Sequence, residues 1–265
     1  MAEGLKQRIL TAIGFGIPFL VLLLFNDITR VILLAILILL SAMEFLGLKH
    51  SKLFKSSFAI FSLSVSILIL AASVLFNQYY LFFLYAALIS GVILLFNLFS
   101  GQKSLLDKGH GLFSMIYTTL PYTALVASRD AVDFKLVFFS MIILIWISDS
   151  SAYFVGKSVG KKKLMPSVSP GKTWEGFLGA GMITLICSYI FFSLNPQYSM
   201  TTWLFIGLAV WLFGSAGDLV ESKFKRSINI KDSGSLLPGH GGILDRFDGF
   251  FFCIPFVLII IEILN

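Results

Sequence analysis

Two acidic pairs bracket the most polar stretch of this 265-residue chain. Asp218, Glu221 and Ser222 close one apolar run, and Asp245, Arg246 and Asp248 open the next. Residues three and four apart share a helix face, so each pair presents its oxygens together. Carboxylates at the ends of apolar helices are costly to keep without a partner, and metal ions are the usual remedy. Hard oxygen ligands with phosphate nearby suit Mg²⁺, as one ion or as two lying about 4 Å apart. Asp218, Glu221, Asp245 and Asp248 are the acids that this reading brings to one rim. Neutralisation of the acids by Lys223, Lys225, Arg226 and Arg246 is the competing reading, but pairing alone does not explain the turn between them. That turn, Leu237-Pro238-Gly239-His240-Gly241-Gly242, lets the backbone approach a ligand closely. His240 has no bulk beside it to pack against, so it is read as a hydrogen-bond donor to phosphate. No second His or Cys is placed to make it a zinc ligand.

A second polar stretch follows the sixth apolar run. Asp149, with Ser150 and Ser151, sits about a turn and a half before the expected end of that run, and an acid there faces protein or water. Beyond it come Gly156, Gly160, Lys161–Lys163, Ser167, Ser169, Pro170, Gly171, Lys172, Thr173 and Glu175. Exposed backbone amides, hydroxyls and ammonium groups are the ingredients of a phosphate-binding loop. It is not a P-loop: Gly171-Lys172-Thr173 lacks the required glycine five residues earlier, where Pro166 stands, and Gly156-Lys157-Ser158 has Ser151 at that place. No Ser-His-Asp arrangement can be defended from the spacing.

The elements that hold these loops are membrane helices. Hydrophobic residues make up 57% of the chain and charged ones 13%, against about 25% charged in a soluble domain. The runs do not alternate as membrane β-strands do. Nine apolar runs, at roughly 9–25, 28–48, 57–76, 79–99, 111–128, 134–154, 176–194, 202–221 and 247–264, predict an all-α polytopic protein. The connections alternate between short, weakly charged ones and longer basic ones. Of the 20 Lys and Arg, all but Arg30, Arg129 and Lys135 fall on one side. Basic loops stay in the cytoplasm, so the amino terminus is expected inside and the carboxyl terminus outside, which requires an odd number of spans. The net charge of +6 is then orientation signal and attraction to anionic lipid, and nucleic acid is not an expected partner. The first run, without a small-residue cleavage site, is expected to be retained. Cys187 and Cys253 lie inside apolar runs and read as packing residues. Glu44 lies within the second run; it approaches the cytoplasmic interface or pairs with a neighbouring helix, and a functional role is the less favoured reading. A single domain, 1–265, is expected, with 1–100 as scaffold helices and 101–265 carrying the site.

The residues from Ser222 to Asp248 resemble a known signature. Ser222-x-Phe224-Lys225-Arg226, then Lys231-Asp232-x-Gly234, then Leu237-Pro238-x-His240-Gly241-Gly242-Ile243-x-Asp245-Arg246-Phe247-Asp248 is similar to that of the phosphatidate cytidylyltransferases, or CDP-diacylglycerol synthases. Ser169-Pro170-Gly171-Lys172-Thr173-Trp174-Glu175-Gly176, and Asp149 before it, also look like the bacterial members. The resemblance implies CTP and phosphatidic acid as substrates, and CDP-diacylglycerol and pyrophosphate as products, at the cell inner membrane with the active site on the cytoplasmic side. It places metal on Asp218 and Asp245, with Asp248 assisting. Lys225, Arg226, Lys231, His240 and Arg246 would neutralise phosphate charge. Asp149, Ser169, Gly171, Lys172, Thr173, Glu175, Ser222, Gly241 and Gly242 would line the substrate pocket. A homodimer is compatible with this reading. Two alternatives stand beside it: a CTP-dependent membrane lipid kinase, and a transporter of an anionic substrate. Transporters commonly carry paired halves with a site at the bilayer midplane, and no halves correspond here.

Overall fold

The structure is a computed structural model describing residues 2–47, 57–105, 110–234, 236 and 241–265, with side chains from residue 14 in the first helix, 61 in the third and 116 in the fifth. Each of the nine predicted runs is helical among the described residues. The helices are α1 (Ala2–Phe25), α2 (Asp27–Gly47), α3 (Ser57–Leu75), α4 (Tyr80–Phe99), α5 (His110–Ala127), α6 (Phe134–Val159), α7 (Trp174–Leu194), α8 (Met200–Ala209), α9 (Ser215–Ser227) and α10 (Leu244–Leu264). The last apolar run but one holds both α8 and α9, joined by a π-helical turn at Val210–Gly214 into a rod from Met200 to Ser227. Six of the described segments are long and apolar enough to cross a membrane, and the protein is a multi-pass membrane protein.

Three points differ from expectation. Within the all-α fold one connection carries a short antiparallel hairpin, β1 (Lys163–Met165) and β2 (Ser169–Thr173), pairing Lys163 with Thr173 and Met165 with Ser169. The sixth helix continues to Val159, so Asp149 lies well inside it rather than near its end. The helix bearing Asp218 runs on to Ser227, so this acid too is within a helix. Polarity misled the boundaries, because a helix that leaves the membrane need not stop where its apolar residues do.

Side-chain caps start the later helices. Asp133 accepts from Leu136 N at 2.9 Å, Thr173 Oγ1 from Gly176 N at 3.2 Å, and Ser199 Oγ from Thr202 N at 3.1 Å. The apolar centre is α10, whose best apolar stretch is 67% buried, whereas that of α7 is 22% buried and turns Met182, Ile186 and Ile190 outward. Tyr117 and Tyr122 of α5, Phe138 of α6 and Phe45 of α2 pack around Phe250 and Phe251 and the neighbouring Phe224. Small residues set the closest approach between α6 and α7: a Cβ on Gly176 would lie 2.6 Å from Ala152 O, and one on Gly179 2.7 Å from Val155 Cγ1. Close backbone contact of this kind is how helices associate where lipid offers no hydrophobic drive.

Candidate active site

The site begins with a backbone irregularity. The π turn at Val210–Gly214 places one extra residue in the ladder of the rod. Trp211 in that turn donates from Nε1 to Phe177 O at 2.8 Å, and its ring covers Gly181, where a Cβ would come within 2.4 Å. Immediately after it, the rod crosses α10 with backbones in contact. A Cβ on Gly217 would meet Asp248 O at 2.6 Å, and one on Gly249 would meet Gly214 O at 3.0 Å. Asp218 and Asp248 are the neighbours of these glycines in sequence. The crossing therefore brings the two acidic helices together at the acids themselves.

Asp218, Asp245 and Asp248 line one cavity of about 620 Å³, with Asp149 on a third wall. Asp218 accepts from Ser222 Oγ at 3.1 Å, which bears out the common helix face inferred from spacing. Its side chain is 38% exposed, so a ligand can reach it, whereas Glu221 behind it is fully buried. Lys225 Nζ bridges Glu221 Oε2 at 3.1 Å and Asp245 Oδ1 at 2.6 Å. Asp245 also accepts from Ser233 N at 2.9 Å and Gly242 N at 2.9 Å. Ion pairing thus does occur here, through Lys225 and Lys172. Lys223 instead turns to the carbonyls of Asn97 and Leu98, and Arg226 to Ile230 O.

The hairpin supplies the facing wall. Lys172 Nζ reaches Asp218 Oδ2 at 2.8 Å and Ser215 O at 3.4 Å. Burial works against the Lys172 ammonium, but Asp218, with Asp248 and Asp149 beyond it, outweighs that and holds its pKa above the ordinary lysine value. Gly171 and Thr173 line the cavity beside it, as does Arg246. Thr173 Oγ1 sits against Gly156, Gly160 and Gly176, so these three glycines seat the hairpin on α6 and α7. Glu175 lies outside the lining and accepts from the amides of Lys161 and Lys162, fixing the approach to β1. Ser169 is also outside the lining. Lys231 and Arg226 are exposed and away from the cavity. Gly241 adopts φ of 89° with its Cα against Asp245, where a Cβ would be 2.9 Å from Oδ2. His240 lies outside the described residues.

Several lining residues carry no polar signal in the sequence. Trp146, Tyr153 and Phe177 border the cavity, and only the place of the first two about one turn to either side of Asp149, and of the third near the start of α7, could have drawn attention to them.

Residues 6–264 match the model of the cytidylyltransferase family. This chain belongs to that family. Among curated relatives, phosphatidate cytidylyltransferase of Bacillus subtilis (strain 168) is 36% identical over 98% of this chain and 99% of its own length. The proteins of the same name from Staphylococcus haemolyticus and Staphylococcus aureus (strain COL) are 35% and 36% identical over 97% of the chain and 99% of theirs. A cytidylyltransferase is an enzyme of nucleotide transfer, a chemistry that commonly uses a divalent metal. The donor set of this cytidylyltransferase fits one. Four carboxyl groups, of Asp149, Asp218, Asp245 and Asp248, line one cavity, and behind them Glu221 Oε1 is buried without a hydrogen-bond partner among the described residues. Among the described residues no three His, Cys, Asp or Glu form a ready-made cluster. Mg²⁺ takes one or two carboxylates and completes its shell with substrate phosphates and water. Asp218, Asp245 and Asp248 are the acids on the cavity that could hold it, Asp218 now engaged by Ser222 and Lys172 and Asp245 by Lys225, Ser233 and Gly242.

Proposed function

We propose that this cytidylyltransferase transfers CMP from CTP to phosphatidic acid, releasing pyrophosphate and leaving CDP-diacylglycerol in the membrane. The relatives named for that reaction match the chain end to end, which supports it. The observation that carries the reading is the cavity in which Asp149, Asp218 and Asp248 face Lys172 and Arg246. Opposed carboxylates and cations of this kind suit a polyphosphate bound with its counterion.

The nucleophile is a phosphate oxygen of phosphatidic acid, ionised at neutral pH. It attacks the α-phosphorus of CTP, and the bond to the bridging oxygen breaks with its electron pair leaving on pyrophosphate. No proton has to be removed, so the site needs no strong general base. Catalysis reduces to alignment and to neutralising charge on three phosphates and a fourth from the lipid. Lys172 and Arg246 do this from the hairpin and the start of α10. Asp218 and Asp248 would hold Mg²⁺, whose contribution is charge neutralisation on the triphosphate. The Gly171–Thr173 strand closes the nucleotide side, and the acyl chains stay in the bilayer. Nine spans, an inner-membrane location and a cytoplasmic cavity belong to the same proposal.

Purified protein given CTP, Mg²⁺ and detergent-dispersed phosphatidic acid should yield CDP-diacylglycerol and pyrophosphate in equal amounts. Asp218→Asn and Asp248→Asn should each lower kcat about 10²–10³-fold, the usual cost of one charge-stabilising group. A phosphorylated alcohol with CDP as products would establish a kinase instead, and near-normal rates in both variants would refute the metal assignment.

A further inference from the structure

Glu44 is a buried carboxylate in the part of the chain expected to be mere scaffold. It sits one turn from the end of α2, with 8% of its surface exposed. A buried carboxylate costs more to keep than an apolar side chain of the same size, so its partners need an account. They lie some two hundred positions away. Glu44 Oε2 accepts from Leu244 N at 2.8 Å and from Ser233 Oγ at 3.4 Å. Two glycines close over it: a Cβ on Gly234 would stand 2.6 Å from Oε1, and one on Gly242 2.5 Å from Oε2.

Ser233–Gly234 and Gly242–Leu244 are the two arms of the loop leading into α10. The same arms hold Asp245, through Ser233 N and Gly242 N. One loop is thus clasped between two carboxylates, with Glu44 behind it and Asp245 on the cavity side. We infer that Glu44 is a positioning residue, an acceptor reached from the second helix that fixes the loop arms and through them sets Asp245 and the first turn of α10, which carries Arg246 and Asp248. In its kinetic consequence this inference rests on the proposed cytidylyl transfer; in its structural content it does not.

The test uses the full-length protein in detergent with three variants. Glu44→Leu fills nearly the same volume and accepts nothing. Glu44→Gln retains one acceptor, which is enough because Oε2 alone takes the bonds to Leu244 and Ser233. Glu44→Leu should lower kcat/KM for CTP about 100-fold, the scale of a loss from misplaced groups, while the KM for phosphatidic acid stays within threefold. Glu44→Gln should recover to within about fivefold of wild type. Wild-type kinetics in Glu44→Leu, or equal losses in Leu and Gln, would overturn the inference. Gly234→Ala, whose Cβ displaces the carboxylate from the loop side, asks the same question should Glu44→Leu not fold, and wild-type kinetics there overturn it equally. Amide hydrogen exchange gives the readout that is independent of activity. Faster exchange in residues 228–246 of Glu44→Leu or Gly234→Ala, with the rest of α10 unchanged, is expected. Unchanged exchange in that segment would sink the clasp whatever the kinetics. A wild-type protein that makes no CDP-diacylglycerol refutes the assigned reaction and leaves the exchange result to decide the clasp.

Discussion

Lys172 and Lys225 both pair with acids at the cavity, yet their surroundings give them different work. Lys225 is 10% exposed and shared between Glu221 and Asp245, so it neutralises carboxylates that have little access to water. Removing one partner of such a buried pair costs about 3–5 kcal/mol, because the remaining charges are left uncompensated. Lys225→Met should therefore appear first as loss of folded protein, with a thermal midpoint several degrees below wild type. Lys172 is more exposed and reaches Asp218 from a hairpin, so its ammonium can be handed to an incoming phosphate. Lys172→Met should leave the thermal midpoint nearly unchanged and raise the KM for CTP about tenfold or more, as expected for one charge-assisted contact of about 1.5–3 kcal/mol. Steady-state kinetics beside thermal unfolding separates the two, and reversed phenotypes would refute the division. At this scale the sequence was partly legible. The i, i+3 and i, i+4 spacing placed Asp218 with Ser222 on one face. It could not choose among Lys223, Lys225 and Arg226, since three cations within four positions point in three directions and only packing decides which meets an acid.

The elements set the distance between those acids. The crossing of the rod over α10 depends on Gly217 and Gly249, where side chains would collide with backbone rather than with flexible tips. A Cβ on Gly217 would also meet Phe252 Cβ at 2.6 Å, so neither helix can yield by a rotamer change. Gly217→Ala should push the helices apart, destabilise the protein by about 1–3 kcal/mol as overpacking does, and lower kcat for the fraction that folds, because Asp218 and Asp248 then separate. Gly16→Ala, with open space around its Cβ, is the control and should leave both unchanged. Equal thermal midpoints and rates for the two variants would show that the crossing is not tight. None of this was readable beforehand. A π turn leaves no mark in an unbroken apolar run such as Trp203–Phe213, and a glycine in a membrane helix does not say which neighbour approaches it. The hairpin was hidden for the opposite reason: a stretch rich in Lys, Ser, Pro and Gly reads as loop, and its two short strands are held by Thr173 seated among glycines of α6 and α7.

Across the whole molecule, hydrogen bonds between distant segments sort the helix ends into two sets. Asn97 and Leu98 at the end of α4 meet Lys223, Glu44 at the end of α2 meets the start of α10, and the hairpin meets Asp218. At the other end Asn77 bonds Asp130, Tyr80 bonds Glu262, Arg129 donates to Val74 O at 3.0 Å, and the Arg30 guanidinium lies 5.8 Å from the Phe134 ring centre. These two sets are the ones that the charge pattern of the connections also groups together, so this much of the arrangement was legible in the sequence. The proposed cytoplasmic face is the first set, on the strength of its basic residues, Lys103, Lys157, Lys161–Lys163, Lys223 and Lys231 among them, against Arg30, Arg129 and Lys135 at the second. With Cys187 and Cys253 replaced by Ala, single cysteines at Lys161 in the hairpin approach and at Gln197 between α7 and α8 report the two ends. A membrane-impermeant maleimide added to intact spheroplasts should label Gln197→Cys and spare Lys161→Cys until the membrane is opened. Labelling of Lys161→Cys in sealed cells would invert the molecule and put the cavity on the side where CTP is absent, so the proposed reaction and the proposed orientation stand or fall on the same gel.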